Sequence, residues 1–115
     1  MNSGHKAEHW LHAQLESRSV PVLARNYRCR RGEIDLILKH QGILIFVEVR
    51  CRTSTDRAKH SVTLHKQRRL MHAARHYLAF HPWDGPCRFD VAALKQTEQS
   101  FHCEWIQDAF TMDAC

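Results

Sequence analysis

The residues from Gly32 to Arg50 read GEIDLILKHQGILIFVEVR, and this stretch decides the fold. Its two apolar runs are rich in β-branched residues, which favours strand over helix. Between the runs lies His40-Gln41-Gly42, a natural tight turn in which Gly42 can take a positive φ. We therefore predict two antiparallel strands joined by a turn.

The turn also predicts which residues of the two strands face each other. A two-residue turn at Gln41-Gly42 gives three pairs: His40–Ile43, Asp35–Glu48 and Glu33–Arg50. A three-residue loop would shift this register by one. The pair Glu33–Arg50 is favourable, whereas Asp35 and Glu48 would place like charges roughly 5 Å apart, which destabilises a sheet. A divalent cation or a shared proton would neutralise them.

These charges have a second explanation, because antiparallel sheets often expose one face to solvent. Against that explanation, both strands place apolar residues on both faces, among them Ile37, Leu44 and Phe46. The residues by themselves leave both a buried site and a charged surface open.

The remaining sequence predicts the other elements in order. These are a helix over Ser3–Glu16, a strand over Val20–Tyr27, a mobile loop over Thr53–His60, a helix from Ser61 or Thr63 to about Phe80 with a core stripe of Leu64, Met71, Ala74 and Leu78, and strands over Cys87–Leu94 and Phe101–Ile106. The predicted order is α-β-β-β-α-β-β, an α/β fold. Glu8 lies near the apolar side of the first helix.

Composition narrows the class of protein. A chain of 115 residues suits a single domain over residues 1–115. Five cysteines without a CxxC pair argue against a disulfide scaffold and a zinc knuckle. No apolar run reaches membrane-spanning length and the N-terminus is polar, so we expect a cytoplasmic protein without a membrane partner.

Positive charge is concentrated on both sides of the acidic strands. The net charge is +5 with a pI of about 9.2. The arginines involved are Arg25, Arg28, Arg30 and Arg31 before the strands, and Arg50, Arg52 and Arg57 after them. Solvated loop charge is one explanation, but this clustering favours contacts with phosphates. Histidine pairs such as His72 and His76 lack the further ligands of a zinc site.

Asp35, a spacer of twelve residues and then Glu48-Val49-Arg50 resemble the PD-(D/E)xK nuclease signature, with Arg50 at the usual lysine position. More closely, the chain is similar to the YraN family, a group of bacterial proteins related to Holliday-junction-resolvase-like nucleases. The matching residues are Gly4, Glu8, Asn26-Tyr27-Arg28, residues 32–37, Phe46 to Arg50 with Arg52, Lys66 and Arg88-Phe89-Asp90-Val91.

The resemblance implies a restriction-endonuclease-like core, α-β-β-β-α-β, with a mixed central sheet flanked by helices and an extra C-terminal strand. It implies that Asp35, Glu48 and the Val49 carbonyl hold Mg²⁺ or Mn²⁺, and that Glu8 orients the attacking water. Arg50 would bind phosphate and stabilise the transition state, since arginine stays protonated and is a poor base. With the arginine clustering, the expected nucleic-acid contacts are Arg28, Arg30, Arg31, Arg52 and Lys66.

The function implied by the resemblance is metal-dependent hydrolysis of phosphodiester bonds in DNA, including branched DNA. A non-catalytic nucleic-acid-binding protein that keeps the nuclease fold is the alternative, and an interaction protein with a salt-bridge ladder is a third. Resolvase-like enzymes often form dimers, because a junction presents two symmetric cleavage points, so a homodimer is a further expectation. DNA and RNA are not distinguished by the sequence.

Overall fold

A computed structural model describes residues 3–111, which form a five-stranded sheet with helices on both faces. The elements are α1 Ser3–Ser17, β1 Val22–Cys29, β2 Gly32–His40, β3 Ile43–Cys51, α2 Thr55–His60, α3 Leu64–Phe80, β4 Cys87–Gln96 and β5 Phe101–Phe110. The strands lie in sequence order; β3 and β4 run parallel and the other neighbours antiparallel. The predicted α/β class with a mixed sheet is confirmed. None of the helices within residues 3–111 is long and apolar enough to cross a membrane.

The β2–β3 hairpin has the predicted register. Its pairing runs from His40–Ile43 to Leu36–Val47. Gln41 and Gly42 have φ values of 52° and 78°. Positive φ at both turn positions is the conformation whose twist matches that of the flanking strands. The prediction of a two-residue turn with Gly42 at positive φ is therefore confirmed.

Both faces of this hairpin are buried, as its two-sided apolar pattern predicts. One face packs against α1, in a cluster that includes Ala7, Leu11, Leu36, Leu38, Ile45 and Val47. The other face packs against α3, in a cluster that includes Ile37, Leu44, Phe46, Leu70, Met71 and Tyr77. A strand buried on both faces usually has a nearly continuous apolar sequence, so charged residues at the end of these strands are unusual and need an explanation.

The alternation of β2 breaks at Asp35. Leu36 packs in the α1 cluster, whereas Ile34 packs in the α3 cluster, although residues two apart normally share a face. On β1 the residue opposite Asp35 is Asn26, which has a φ of 50°. Beyond Leu36–Val47 the carboxylate oxygen Oδ2 of Asp35, rather than the β2 backbone, accepts the Val49 N–H at 2.7 Å. We call this opening between β2 and β3 the fork.

The prediction of a mobile loop over Thr53–His60 is wrong, because residues 55–60 form α2. The Ser54 hydroxyl caps the helix by accepting the Arg57 N–H at 3.1 Å. Ala58 is fully buried and anchors the helix. A helix of six residues with one buried residue is too short to show apolar periodicity in the sequence.

The prediction of α3 is confirmed in its bounds, with Thr63 as the N-cap. Leu64, however, is 50% exposed and does not belong to the core stripe. The residues that α3 buries begin at Leu70, so its first turn does not pack on the sheet. Leu78 is only partly buried.

Strand β5 is longer than the predicted Phe101–Ile106, because it continues to Phe110 through a bulge. Val91 pairs with Ile106 but Phe89 pairs with Phe110, which leaves three residues of β5 opposite Asp90. The fully buried Asp90 carboxylate accepts the Asp108 N–H at 2.9 Å and the Trp105 Nε1–H at 2.7 Å. This buried acceptor explains why the strand continues where the sequence pattern suggests a tail.

Two glycines test the close packing of the hairpin. A Cβ at Gly32 would lie 1.8 Å from the backbone oxygen of Arg69 in α3, whereas one at Gly42 would meet nothing within 4 Å. We expect Gly32→Ala to lower the free energy of unfolding by about 3 kcal/mol, an overpacking cost. Gly42→Ala should cost about 1 kcal/mol, from its positive φ alone. Urea unfolding measures both, and equal losses would contradict the contact between Gly32 and α3.

Candidate active site

The fork opens into a cleft of about 490 Å³. The cleft is lined by Glu8 of α1, Glu33 and Asp35 of β2, residues 48–52 at the end of β3, and His65, Lys66 and Arg69 of α3. All four predicted catalytic residues, Glu8, Asp35, Glu48 and Arg50, therefore lie in one cleft. Glu8 lies on α1, Asp35 on β2, and Glu48 and Arg50 on β3. They come together because α1 packs on the hairpin and β2 separates from β3 at this point.

Four carboxyl groups line the cleft, those of Glu8, Glu33, Asp35 and Glu48, and Asp35 lies near enough to Glu8 and Glu48 to shift the pKa of both. Burial and the neighbouring Asp35 carboxyl raise the pKa of Glu8 to about 7. The same causes, burial first, raise the pKa of Glu48 to about 9. Like charges this close in a partly buried cleft cannot all ionise unless a cation compensates them, so the group shares protons when no cation is bound.

The Val49 backbone completes this set of oxygen atoms. Its N–H points into the fork, where it donates to Asp35 at 2.7 Å. A residue in an extended strand presents its N–H and C=O to the same neighbour. The Val49 carbonyl therefore also faces the fork. The oxygen donors at the fork are two carboxylates and one backbone carbonyl.

These donors fit Mg²⁺ or Mn²⁺. Across residues 3–111, no three His, Cys, Asp or Glu side chains are grouped closely enough to hold a metal ion by themselves. Magnesium does not need such a group, since it usually keeps several waters and binds through one or two carboxylates plus substrate phosphate. The chemistry of Asp35, Glu48 and the Val49 carbonyl matches that mode.

Arg50 does not pair with Glu33 as the register predicts. Its Nε–H donates to the Ser61 hydroxyl at 2.7 Å, and that hydroxyl donates to the Ala58 carbonyl at 2.7 Å. Glu33 lies 3.4 Å from Arg28 instead. The prediction is wrong because β2 and β3 have already separated at this point. Burial lowers the pKa of Arg50, with a further contribution from Arg52.

Ser61 is a site residue that the sequence did not reveal. In the sequence it is only a candidate start for the following helix. Its contact with Arg50 exists because α2 forms and ends at Ser61. No pattern at this spacing signals the contact.

The predicted phosphate-binding residues fall into three places. Arg52 and Lys66 line the cleft, together with His65 and Arg69, which sequence analysis did not select. Arg30 and Arg31 line a separate groove. The Arg28 side chain is 73% exposed beside Glu33. Arg69 follows Lys66 by three residues, a spacing that places both on one face of a helix, and this was the signal that could have identified Arg69.

Comparison with known proteins gives the family. The family model described as "Uncharacterised protein family UPF0102" matches residues 7–94. A UPF0102 protein of Nitrosomonas europaea is 46% identical over 112 residues, which cover 95% of this chain and 93% of the relative. One from Alcanivorax borkumensis is 46% identical over 114 residues, with 95% and 91% covered. One from Ralstonia nicotianae is 45% identical over 119 residues, with 97% and 88% covered.

The chain belongs to UPF0102. The predicted membership of the YraN family is thereby confirmed, because UPF0102 is that family. The matched segment of this UPF0102 member contains every residue that lines the cleft. These names state no activity, so function follows from the geometry of the cleft.

The carboxyl cluster predicts how stability depends on pH. Glu8 and Glu48 have pKa values of about 7 and 9 in the folded state, against 4.5 as the ordinary value. At a pH between its ordinary pKa and its raised pKa, each group holds a proton in the folded protein but not in the unfolded chain. The free energy of unfolding therefore falls as pH rises from about 5 to 9. Thermal unfolding across this range measures the effect.

Glu48→Gln should flatten this pH dependence and raise the melting temperature above pH 8, because the amide is neutral at every pH. Millimolar Mg²⁺ or Mn²⁺ should restore stability at high pH in the wild type but less in the variant. Glu98→Gln, outside the cleft, serves as the control and should follow the wild type. A wild-type stability that rises between pH 5 and 9 without metal would refute the shared-proton description.

Proposed function

We propose that this UPF0102 member is a metal-dependent endonuclease that hydrolyses phosphodiester bonds in DNA, including branched DNA. The observation that carries the proposal is that Asp35 and Glu48 line the same cleft as Arg50 and Lys66. Metal-dependent hydrolysis of a phosphodiester uses anionic ligands for a divalent cation, and positive groups beside them bind the phosphate. The resemblance of Asp35 and Glu48-Val49-Arg50 to the PD-(D/E)xK signature supports the same chemistry.

Asp35, Glu48 and the Val49 carbonyl would hold the cation. A bound Mg²⁺ or Mn²⁺ supplies Lewis acidity, which lowers the pKa of water and stabilises charge on the phosphate. Asp35 is kept in place by the Val49 N–H, which leaves its second oxygen for other partners. This bond would preorganise the cation site before any ligand arrives.

Glu8 is the residue that would orient the attacking water and accept its proton. It reaches the cleft from α1 with a half-buried carboxyl group. Once a cation compensates the neighbouring carboxyls, Glu8 would be ionised and able to accept a proton, as a general base requires.

Arg50 would stabilise the negative charge that develops on the phosphate. The bond to Ser61 uses Nε, so the two terminal nitrogens are not engaged in that bond. A guanidinium held in position acts as a preorganised donor, and it stays protonated, so it serves as a cation and not as a base. Arg52, Lys66 and Arg69 add positive charge to the same cleft.

The cleavage reaction tests the carboxylates. Labelled duplex, single-stranded and four-way-junction DNA are incubated in Mg²⁺, Mn²⁺ or EDTA with the wild type, Asp35→Asn and Glu48→Gln. We expect metal-dependent cutting, and a loss of about 10³-fold in each variant, since a metal ion contributes several kcal/mol to the transition state. Asp56→Asn, on the exposed face of α2, is the matched control and should cut like the wild type.

Two results would refute the nuclease. If the wild type binds DNA without cutting any substrate in either metal, the protein is a nucleic-acid-binding module that keeps the nuclease fold. If both carboxyl variants cut as well as the wild type, the activity does not belong to the cleft.

The arginine is tested by a double-mutant cycle. Arg50→Ala should lower kcat by about 10²-fold, as expected for one lost transition-state donor. Ser61→Ala should lower kcat by about 10-fold through loss of positioning. In the Arg50→Lys background Ser61→Ala should have little further effect, because lysine has no Nε–H for Ser61 to accept. Equal effects of Ser61→Ala in both backgrounds would show that Ser61 does not act through Arg50.

A further inference from the structure

A second concave surface lies beside the cleft. This second groove has a volume of about 420 Å³ and is lined by Cys29, Arg30, Arg31, His72 and His76. Arg30 and Arg31 form the two-residue turn between the paired Cys29 and Gly32, and both are exposed. The two histidines come from the middle of α3.

The second groove and the cleft follow each other along one helix. On α3, Lys66 and Arg69 line the cleft, whereas His72 and His76 line the second groove. The turn that carries Arg30 and Arg31 is seated on α3 at the boundary, because Gly32 has no side chain to separate it from the Arg69 backbone. Both concavities therefore lie along α3, with the second groove nearer its C-terminal end.

The walls of the second groove are joined by a side-chain contact. The Tyr27 hydroxyl of β1 hydrogen-bonds to Nδ1 of His76. The Tyr27 ring also meets the Tyr77 ring edge-on, with 5.2 Å between the ring centroids. These contacts fix β1 against α3, so the second groove is a permanent feature of the fold.

The chemistry of the second groove selects an anion. Its five lining residues include two arginines and two histidines and, within the part of the chain that the structure describes, no carboxyl group. The cleft, by contrast, mixes cations with Glu8, Asp35 and Glu48. Adjacent arginines on a fixed turn offer forked donors that match phosphate oxygens. A solvated turn would explain two exposed arginines, but it would not explain why two histidines of α3 line the same concavity.

The spacing of the two sites matches a nucleic-acid strand. The seven residues from Arg69 to His76 rise roughly 10 Å along the helix axis. For a duplex that lies along α3, phosphates of one strand follow each other at about 3.4 Å along that axis, so 10 Å corresponds to about three nucleotides. We infer that a duplex lies along α3 and that the second groove binds a backbone phosphate about three nucleotides from the phosphate held in the cleft. The inference rests on the proposed function for the identity of the ligand.

Binding without catalysis tests this inference. Fluorescence anisotropy of a labelled 20-base-pair duplex is measured in EDTA at several salt concentrations, for the wild type and for Arg30→Ala combined with Arg31→Ala. We expect about 10-fold weaker binding and a salt slope lower by about one, the value for one lost phosphate contact. Arg18→Ala, an exposed arginine beside a different groove between α1 and β5, is the matched control and should bind like the wild type.

The position of the phosphate is measured by single methylphosphonate substitutions along one strand. The wild type should show two sensitive positions about three nucleotides apart. Lys66→Ala should abolish the sensitivity at one position, and the combined Arg30→Ala and Arg31→Ala variant should abolish it at the other. One sensitive position, or loss of both in either variant, would overturn the assignment.

Two further results would also overturn it. The first is affinity and salt slope unchanged in the combined arginine variant, or lowered equally in Arg18→Ala. The second is displacement of duplex DNA by inorganic phosphate at micromolar concentration, which would make the groove a site for a free anion. These binding assays need no cleavage. If the protein shows the two-position pattern but cuts no DNA in Mg²⁺ or Mn²⁺, the proposed nuclease activity is refuted while phosphate binding in the second groove is supported.

Discussion

The hydrogen bond from the Val49 N–H to the Asp35 carboxylate is the interaction on which the site depends. In an uninterrupted hairpin this N–H would bond to the backbone of β2. Val49 is nearly buried, so an unpaired N–H here would cost about 1–3 kcal/mol. Because a side chain supplies the acceptor, β2 can separate from β3 at Asp35 without that loss, while it stays paired with β1. The same bond holds Asp35 in the cleft that opens where the two strands separate.

Burial of several carboxyl groups in one cleft destabilises the folded protein, and apolar packing elsewhere in the fold offsets this effect. Two apolar layers hold the hairpin, one under α1 and one under α3. The same helices reach the cleft: α1 contributes Glu8, which follows the buried Ala7, and α3 contributes Lys66 and Arg69, which precede its first buried residue. The residues that stabilise the fold and the residues that form the cleft therefore lie on the same elements. Displacement of either helix would change the core and the cleft together.

The short helix α2 gives the cleft its fixed positive side. It is held at one end by Ser61, which accepts from Arg50, and along its length by Glu104 of β5, which contacts Thr55 and Lys59. A guanidinium anchored through Nε differs from a flexible lysine, since its remaining donors keep one orientation. An arginine at this position is thus consistent with a role in binding phosphate, and α2 is the element that makes the position defined.

Sequence alone determined the local geometry of the chain. Gly42 and the apolar runs set the hairpin register, and Ser61 and Thr63 were the two candidate starts of α3, because turns, caps and side-chain alternation act between near neighbours. The register also placed Asp35 beside Glu48, whereas Glu8 was assigned to the site only through the resemblance. Only the tertiary structure decided the fork, the partners of Arg50 and Glu33, the exposure of Leu64 and the division of arginines between two grooves. These features depend on where β2 separates from β3 and where helices meet the sheet, which is set by packing between residues far apart in the chain.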